Sequence, residues 1–225
     1  MQTLGPVSGI PHDLLRPDVL LLVGEDPAEC AAAAGVTWQH SYRGFHAAVR
    51  DDRLVVVSPF GSTVMEALLW ELLAPGVVTR VILAGTAGAL GGYSGPHMAP
   101  VQVTEATSVY QSFDAPPAPY VPSWHLDLPE VASISTDRFY GFSPMTDDAF
   151  PAEPGLCEAW SKWGNADAIV EMEVAAFFHF AQRLAPALQY AAVKVVANDV
   201  SALESLPDGS ARAMQRAVDA AWAAF

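Results

Sequence analysis

The chain has 225 residues, 52% of them hydrophobic and only 16% charged, which excludes disorder and supplies one large buried core. A formal net charge of -14 repels phosphate backbones and anionic lipid, so neither nucleic acid nor a membrane is expected as a partner. No apolar run approaches the roughly 20 residues that cross a bilayer; the main candidates are 19–23 and 191–197, the latter interrupted by Lys194.

No secretory leader is visible from Met1 to Pro11. Two cysteines, Cys30 and Cys157, are too few for a disulfide framework. A cytoplasmic protein with two reduced packing thiols is therefore expected.

In chain order, 18–23 is expected as a strand and 26–34 as a helix, with Pro27 tolerated early. Residues 47–49 and 54–58 predict a hairpin turning at 50–53. Val64, Leu68, Leu69 and Leu72 recur at helical spacing and predict a helix over 62–73. Residues 78–84 follow as a strand, 85–95 as a glycine-rich loop, and 100–107 as a strand. Pro116, Pro117, Pro119, Pro122 and Pro129 make 115–129 an irregular loop. A strand over 131–135, a helix over 171–184, a strand over 190–197 and a closing helix over 209–225 complete the pattern. Strands separated by helices predict a single α/β domain with a mostly parallel or mixed central sheet flanked by helices. Ligands of such sheets collect beyond the carboxyl ends of the strands, so the segments 24–29, 85–88 and 198–201 are expected to converge.

Two motifs carry chemistry. Gly85-Thr86-Ala87-Gly88 follows a strand, lets a ligand approach the backbone, and adds a hydroxyl. A tight turn would read the same way. So would the nucleotide loop of a short-chain dehydrogenase, because Gly85, Gly88 and Gly91 are suitably spaced and Tyr190 and Lys194 form a Tyr-x-x-x-Lys pair. Against that reading, the loop is not on the first strand, the pair falls in a Val-rich strand, and no acidic ribose anchor follows. The second motif, Val170-Glu171-Met172-Glu173-Val174-Ala175-Ala176, puts two carboxylates at the start of a buried-looking helix. Such carboxylates need partners, unless they merely favour the helix dipole from an exposed first turn.

Gly24 to Pro27, Gly85 to Gly88, Asp137-Arg138-Phe139-Tyr140, Val170 to Ala176 and Asn198-Asp199 occur in that order. Together they resemble the nucleoside phosphorylase superfamily: purine nucleoside and uridine phosphorylases and the methylthioadenosine/S-adenosylhomocysteine nucleosidases. The resemblance spans about Pro11 to Ser201. It implies cleavage of a nucleoside's N-glycosidic bond without an organic cofactor. Glu173 would take both ribose hydroxyls, with Met172 packed on the sugar; a carboxylate only accepts, and vicinal hydroxyls donate. Phe139 would stack on the base. Asp199 would give a proton to the leaving purine. His12 resembles a histidine that some phosphorylases lend to a neighbour's 5′-hydroxyl. A homo-oligomer is implied as well.

The phosphate residues are broken. With Asp26-Pro27 aligned, Glu29 stands where the phosphorylases carry arginine, and Leu83 stands at a second such position. Arg43 resembles a third, supplied by a neighbouring subunit. Gly24, Gly85 and Thr86 remain as groups able to hold inorganic phosphate, the alternative co-substrate. The related nucleosidases place a water-activating glutamate at the Glu29 position, so the sequence leans towards hydrolysis. No Gln or Arg occurs between Gly141 and Phe150, where uridine phosphorylases read a pyrimidine, and Asp199 suits a purine. A phosphorylase yielding ribose 1-phosphate and a non-catalytic nucleoside binder stand as the alternatives.

Overall fold

The computed structural model describes residues 5, 7–24, 26–90, 93–108, 118–137, 141–143, 148–150, 168–200 and 207–225. Side chains of 141–143, 148–150 and 207–208 lie outside that description.

The first half builds around β1 (Asp18–Val23), a strand of almost wholly buried aliphatic residues. A chain apolar on both faces must sit inside a parallel sheet. β1 accordingly pairs in parallel with β4 (Arg53–Ser58) on one side and β5 (Arg80–Ala89) on the other. β2 (His40–Tyr42), β3 (Phe45–Arg50) and β4 form an antiparallel meander. The β3–β4 turn places Asp51 and Asp52 at φ 49° and 59°, the left-handed pair that a two-residue hairpin requires.

The second half adds β6 (Pro100–Ser108), β7 (Glu130–Ser135), β10 (Ala168–Glu171) and β11 (Gln189–Asp199). β8 (Gly141–Ser143) and β9 (Asp148–Phe150) form a separate two-stranded pair. The large sheet runs β10-β7-β6-β11-β5-β1-β4-β3-β2. β10 also pairs antiparallel with β5, Val170 opposite Gly88. The five strands β5, β11, β6, β7 and β10 therefore close on themselves, while β1 to β4 extend as an open wing.

Alternate residues of β1 feed two cores. Leu20 and Leu22 pack with α1 (Pro27–Ala34) and α4 (Pro207–Ala224) through Cys30, Ala213, Met214 and Val218. Val19 and Leu21 pack with α2 (Ser62–Leu73) and α3 (Val174–Leu184) through Met65, Leu68, Phe177 and Phe178. The mixed α/β sheet flanked by helices is as expected. Among the described residues, no helix is long and apolar enough to cross a membrane.

Three expectations are corrected. The glycine-rich segment is not a loop at its start: β5 continues through Gly85, Thr86, Ala87 and Gly88 to Ala89. These glycines serve close packing, since a Cβ on Gly88 would lie 2.3 Å from Val200 Cγ1. The helix expected from 171 begins at Val174, because Glu171 belongs to β10 and its carbonyl accepts from Thr136 N. β11 runs on to Asp199, so the segment expected as a loop from 198 starts inside a strand.

Candidate active site

β1, β4, β5 and β11 run in parallel, and their carboxyl ends present Val23, Ser58, Ala89 and Asp199 at one edge. β10 ends beside β5 with Glu171. That edge is where an open α/β sheet holds ligands.

The Glu171-Met172-Glu173 turn lies there, and its two carboxylates behave differently. Glu171 is buried and saturated. Its Oε1 accepts from Ser133 Oγ at 2.7 Å and from Ser135 Oγ, and its Oε2 accepts from the amides of Glu173 at 2.6 Å and Val174 at 2.7 Å. Two of these donors are amides at the start of α3, which otherwise lack helical acceptors. Ser135 Oγ in turn accepts from Ala175 N at 2.8 Å. Glu171 is thus the clasp between β7 and α3.

Glu173 is also buried, but half of its carboxylate is unoccupied. Oε2 takes Lys194 Nζ at 3.4 Å, whereas Oε1 has no hydrogen-bond partner among the described residues. Burial pushes the Glu173 carboxyl up to about 7; the Lys194 charge opposes that rise and the nearby Glu171 charge adds to it. A buried acceptor without a donor is a cost that a bound donor would relieve. A vicinal diol is such a donor. Asn198 Nδ2, a buried donor at the end of β11, likewise has no partner among the described residues.

Lys194 was missed as a site residue. The sequence shows it as a lone cation interrupting an apolar strand, which is itself the signal: a lysine buried to 1% exposure requires an anion. Its strand position, and that of Tyr190, removes the dehydrogenase pairing. Tyr190 Oη instead donates to Val121 O at 3.2 Å.

Of the other expected residues, Gly85 pairs in register with Val23 on one side and Lys194 on the other, which leaves its amide to the ladder. Thr86 follows it, half-buried, in register with Val195. Gly24 comes directly after β1, and a Cβ there would meet Cys30 Sγ at 2.7 Å and Met214 Cε at 3.0 Å. Glu29 lies half-buried in the first turn of α1, whose N-cap is Asp26, accepting from Ala28 N at 2.7 Å. Asp199 is half-buried at the last position of β11, opposite Ala89. Met172 is half-buried between the two glutamates. Phe139 lies outside the described residues; its neighbour Asp137 accepts from Ser62 N and Oγ at 3.2 and 2.6 Å, tying that segment to the start of α2.

Two expected residues lie beside the β2–β3 wing of the sheet instead of beside β5 and β10. Arg43 sits exposed at the β2–β3 turn, at φ 50°, with its guanidinium 5.0 Å from the Tyr42 ring centroid. β2 is four strands from β5, about 19 Å at the usual strand spacing. His12 lies in a short 3-10 turn, His12–Leu14, that packs near β3. The other candidate cation, Arg80, begins β5 at the opposite edge and gives Nε to Asp18 at 2.7 Å. Cys30 is a buried free thiol pushed up to about 12, first by burial and then by Glu29 and Asp26, so it is inert near neutral pH.

Residues 125–224 match the model of a family described as the phosphorylase superfamily. The fold matches an MTAN (5′-methylthioadenosine/S-adenosylhomocysteine nucleosidase) of Helicobacter pylori holding 5′-methylthioadenosine in its active site. That match has a TM-score of 0.69 at 15% identity and covers 93% of this chain and 98% of that one. An MTAN of Chlamydia trachomatis matches with a TM-score of 0.60 at 19% identity, over 92% and 96% of the two chains. A putative nucleosidase of the same kind from Francisella philomiragia gives 0.65 at 13%, over 92% and 97%. No curated protein matches the chain by sequence.

Proposed function

We propose that this protein is a member of the phosphorylase superfamily, whose model its residues 125–224 match, and that it hydrolyses the N-glycosidic bond of a purine nucleoside. The observation that carries this reading is the buried Oε1 of Glu173 at the carboxyl edge of the sheet, without a partner among the described residues. It is an acceptor set to receive the sugar's hydroxyls, with Met172 against the ribose. Asp199 gives its proton to the base as the bond breaks, and Glu29 orients and deprotonates the attacking water. Phe139 stacks on the base.

Water is favoured over phosphate by the cations. Leu83 is fully buried in the sheet core, Arg80 is held by Asp18 at the far edge, and Lys194 is committed to Glu173. The structures of similar fold hold 5′-methylthioadenosine in one case and adenine in another, which supports an adenine-type purine here. We propose a homo-oligomer in the cytoplasm, in which Arg43 and His12 serve a neighbouring chain's pocket.

Incubation with inosine, adenosine and methylthioadenosine, each with and without phosphate, tests the reading through the released base. Release of base without phosphate is the expected result; no release from any of them overturns it in favour of a binding role.

A further inference from the structure

Lys194 occupies the middle of β11, in register with Gly85, and only 1% of its side chain is exposed. An ammonium taken from water into a Val-rich strand is strongly disfavoured unless an anion answers it. Two carboxylates are nearby, Glu171 from the end of β10 and Glu173 from the turn before α3. Glu171 is saturated by two serine hydroxyls and two amides. Among the described residues Glu173 answers the ammonium through Oε2 alone, and its buried Oε1 has no hydrogen-bond partner.

The opposite residue makes the arrangement fit. A Cβ at Gly85 would lie 3.2 Å from Lys194 Nζ and 3.1 Å from Val23 O, so any larger residue there would crowd the ammonium. The lone lysine of β11 and the first glycine of the Gly85–Gly88 motif are two halves of one device.

We propose that Lys194 is a positioning residue for the sugar: it holds Oε2 of Glu173 and thereby presents Oε1 to the ribose hydroxyls. This rests on the reading that Glu173 binds the sugar. Without the ammonium, burial and the Glu171 charge both favour a protonated Glu173. A carboxylic acid has lost part of its accepting capacity and offers a donor to groups that themselves donate.

The test uses Lys194→Met and Lys194→Arg. Lys194→Met should raise KM about tenfold to a hundredfold, the scale of one charge-assisted hydrogen bond, while kcat falls less. The acid limb of kcat/KM should move to higher pH, and Lys194→Arg should restore part of the loss. A folded Lys194→Met with wild-type KM and acid limb overturns the proposal. If Lys194→Met does not fold, Lys194→Arg decides alone, since displacing the charge must still raise KM; an unchanged KM overturns the proposal.

A wild-type protein that cleaves no nucleoside would overturn the sugar assignment, and the proposal with it. Melting of Lys194→Met against Glu173→Gln/Lys194→Met across pH 5 to 9 separates that failure from failure of the pair itself. The single variant should gain on the double as pH falls, because its unpaired carboxylate then takes a proton. With Lys194 present, wild type should gain less on Glu173→Gln over the same range, because the ammonium opposes protonation; equal gains in the two backgrounds mean that no pair existed.

Discussion

Leu83 lies beside Leu21 in parallel register, and both side chains are fully buried in the same apolar core. A strand position packed in this way cannot extend a cation to the carboxyl edge. Leucine at this position, where the phosphorylases that the sequence resembles carry arginine, is therefore part of the core and not an isolated exchange on the surface.

The first prediction concerns the nucleophile. Cleavage should proceed without phosphate and release free ribose or its 5′-substituted form. Glu29→Ala should lower the rate by about 10²–10⁴, the usual contribution of a positioned general base. Analysis of the sugar product checks this. Ribose 1-phosphate, formed at a rate that saturates with phosphate, would show that phosphate is the nucleophile.

Asp199→Asn should cripple cleavage of natural purine nucleosides and spare those with activated leaving groups such as nitrophenyl. A nitrophenyl group departs without protonation, whereas a purine gains roughly 10²–10⁴-fold from it. Steady-state rates on both substrate types decide the point. Equal losses would make Asp199 a residue that only holds the end of β11 against Ala89.

Glu171→Ala should destabilise the fold by several kcal/mol and Glu171→Gln by much less. The alanine leaves the Ser133 and Ser135 hydroxyls and the Glu173 and Val174 amides without their acceptor, at about 1–3 kcal/mol for each donor left unsatisfied. A glutamine can still take the two amides on its oxygen, and its NH2 can donate to the rotatable hydroxyls. Urea midpoints measure both. A Glu171→Ala protein as stable as wild type would remove Glu171 from its role as clasp.

Much of this architecture was legible in the sequence, for physical reasons visible at particular residues. β1 and α2 were bounded correctly because their apolar patterns begin and end sharply, at Asp18 and Val23 and at Ser62 and Leu73. The continuation of β5 was not legible. Gly85 and Gly88 have the composition of a loop, and only the closeness of Lys194 and Val200 shows why a strand needs them. β10 is not legible in the sequence, and its last residue, Glu171, reads as the start of the following helix because Glu171 and Glu173 look alike. What separates them is tertiary: Ser133 and Ser135 come from a strand almost 40 residues earlier. The partnership of Lys194 was hidden for the same reason, although its demand for an anion was not.

The last prediction follows from the charge state of Glu173. Its carboxyl is held near 7 in the folded protein, against an ordinary value of 4.5, chiefly because it is buried. Between those values the folded state binds a proton that the unfolded state does not. Stability from this group must therefore rise as pH falls through about 7, and be fully present below 4.5. Each unit of the upward shift corresponds to about 1.4 kcal/mol, which is large beside the stability of an ordinary domain. Glu173→Gln removes the titration. The stability difference between wild type and Glu173→Gln should thus move in favour of wild type as pH is lowered from 8 to 5, read from urea midpoints at each pH. Sugar binding requires the opposite state, the ionised acceptor, so wild-type kcat/KM should fall over the same interval. Activity and stability then run against one another through one carboxyl group. A pH-independent stability difference would mean that Glu173 stays ionised throughout, and a flat acid limb in kcat/KM should accompany it.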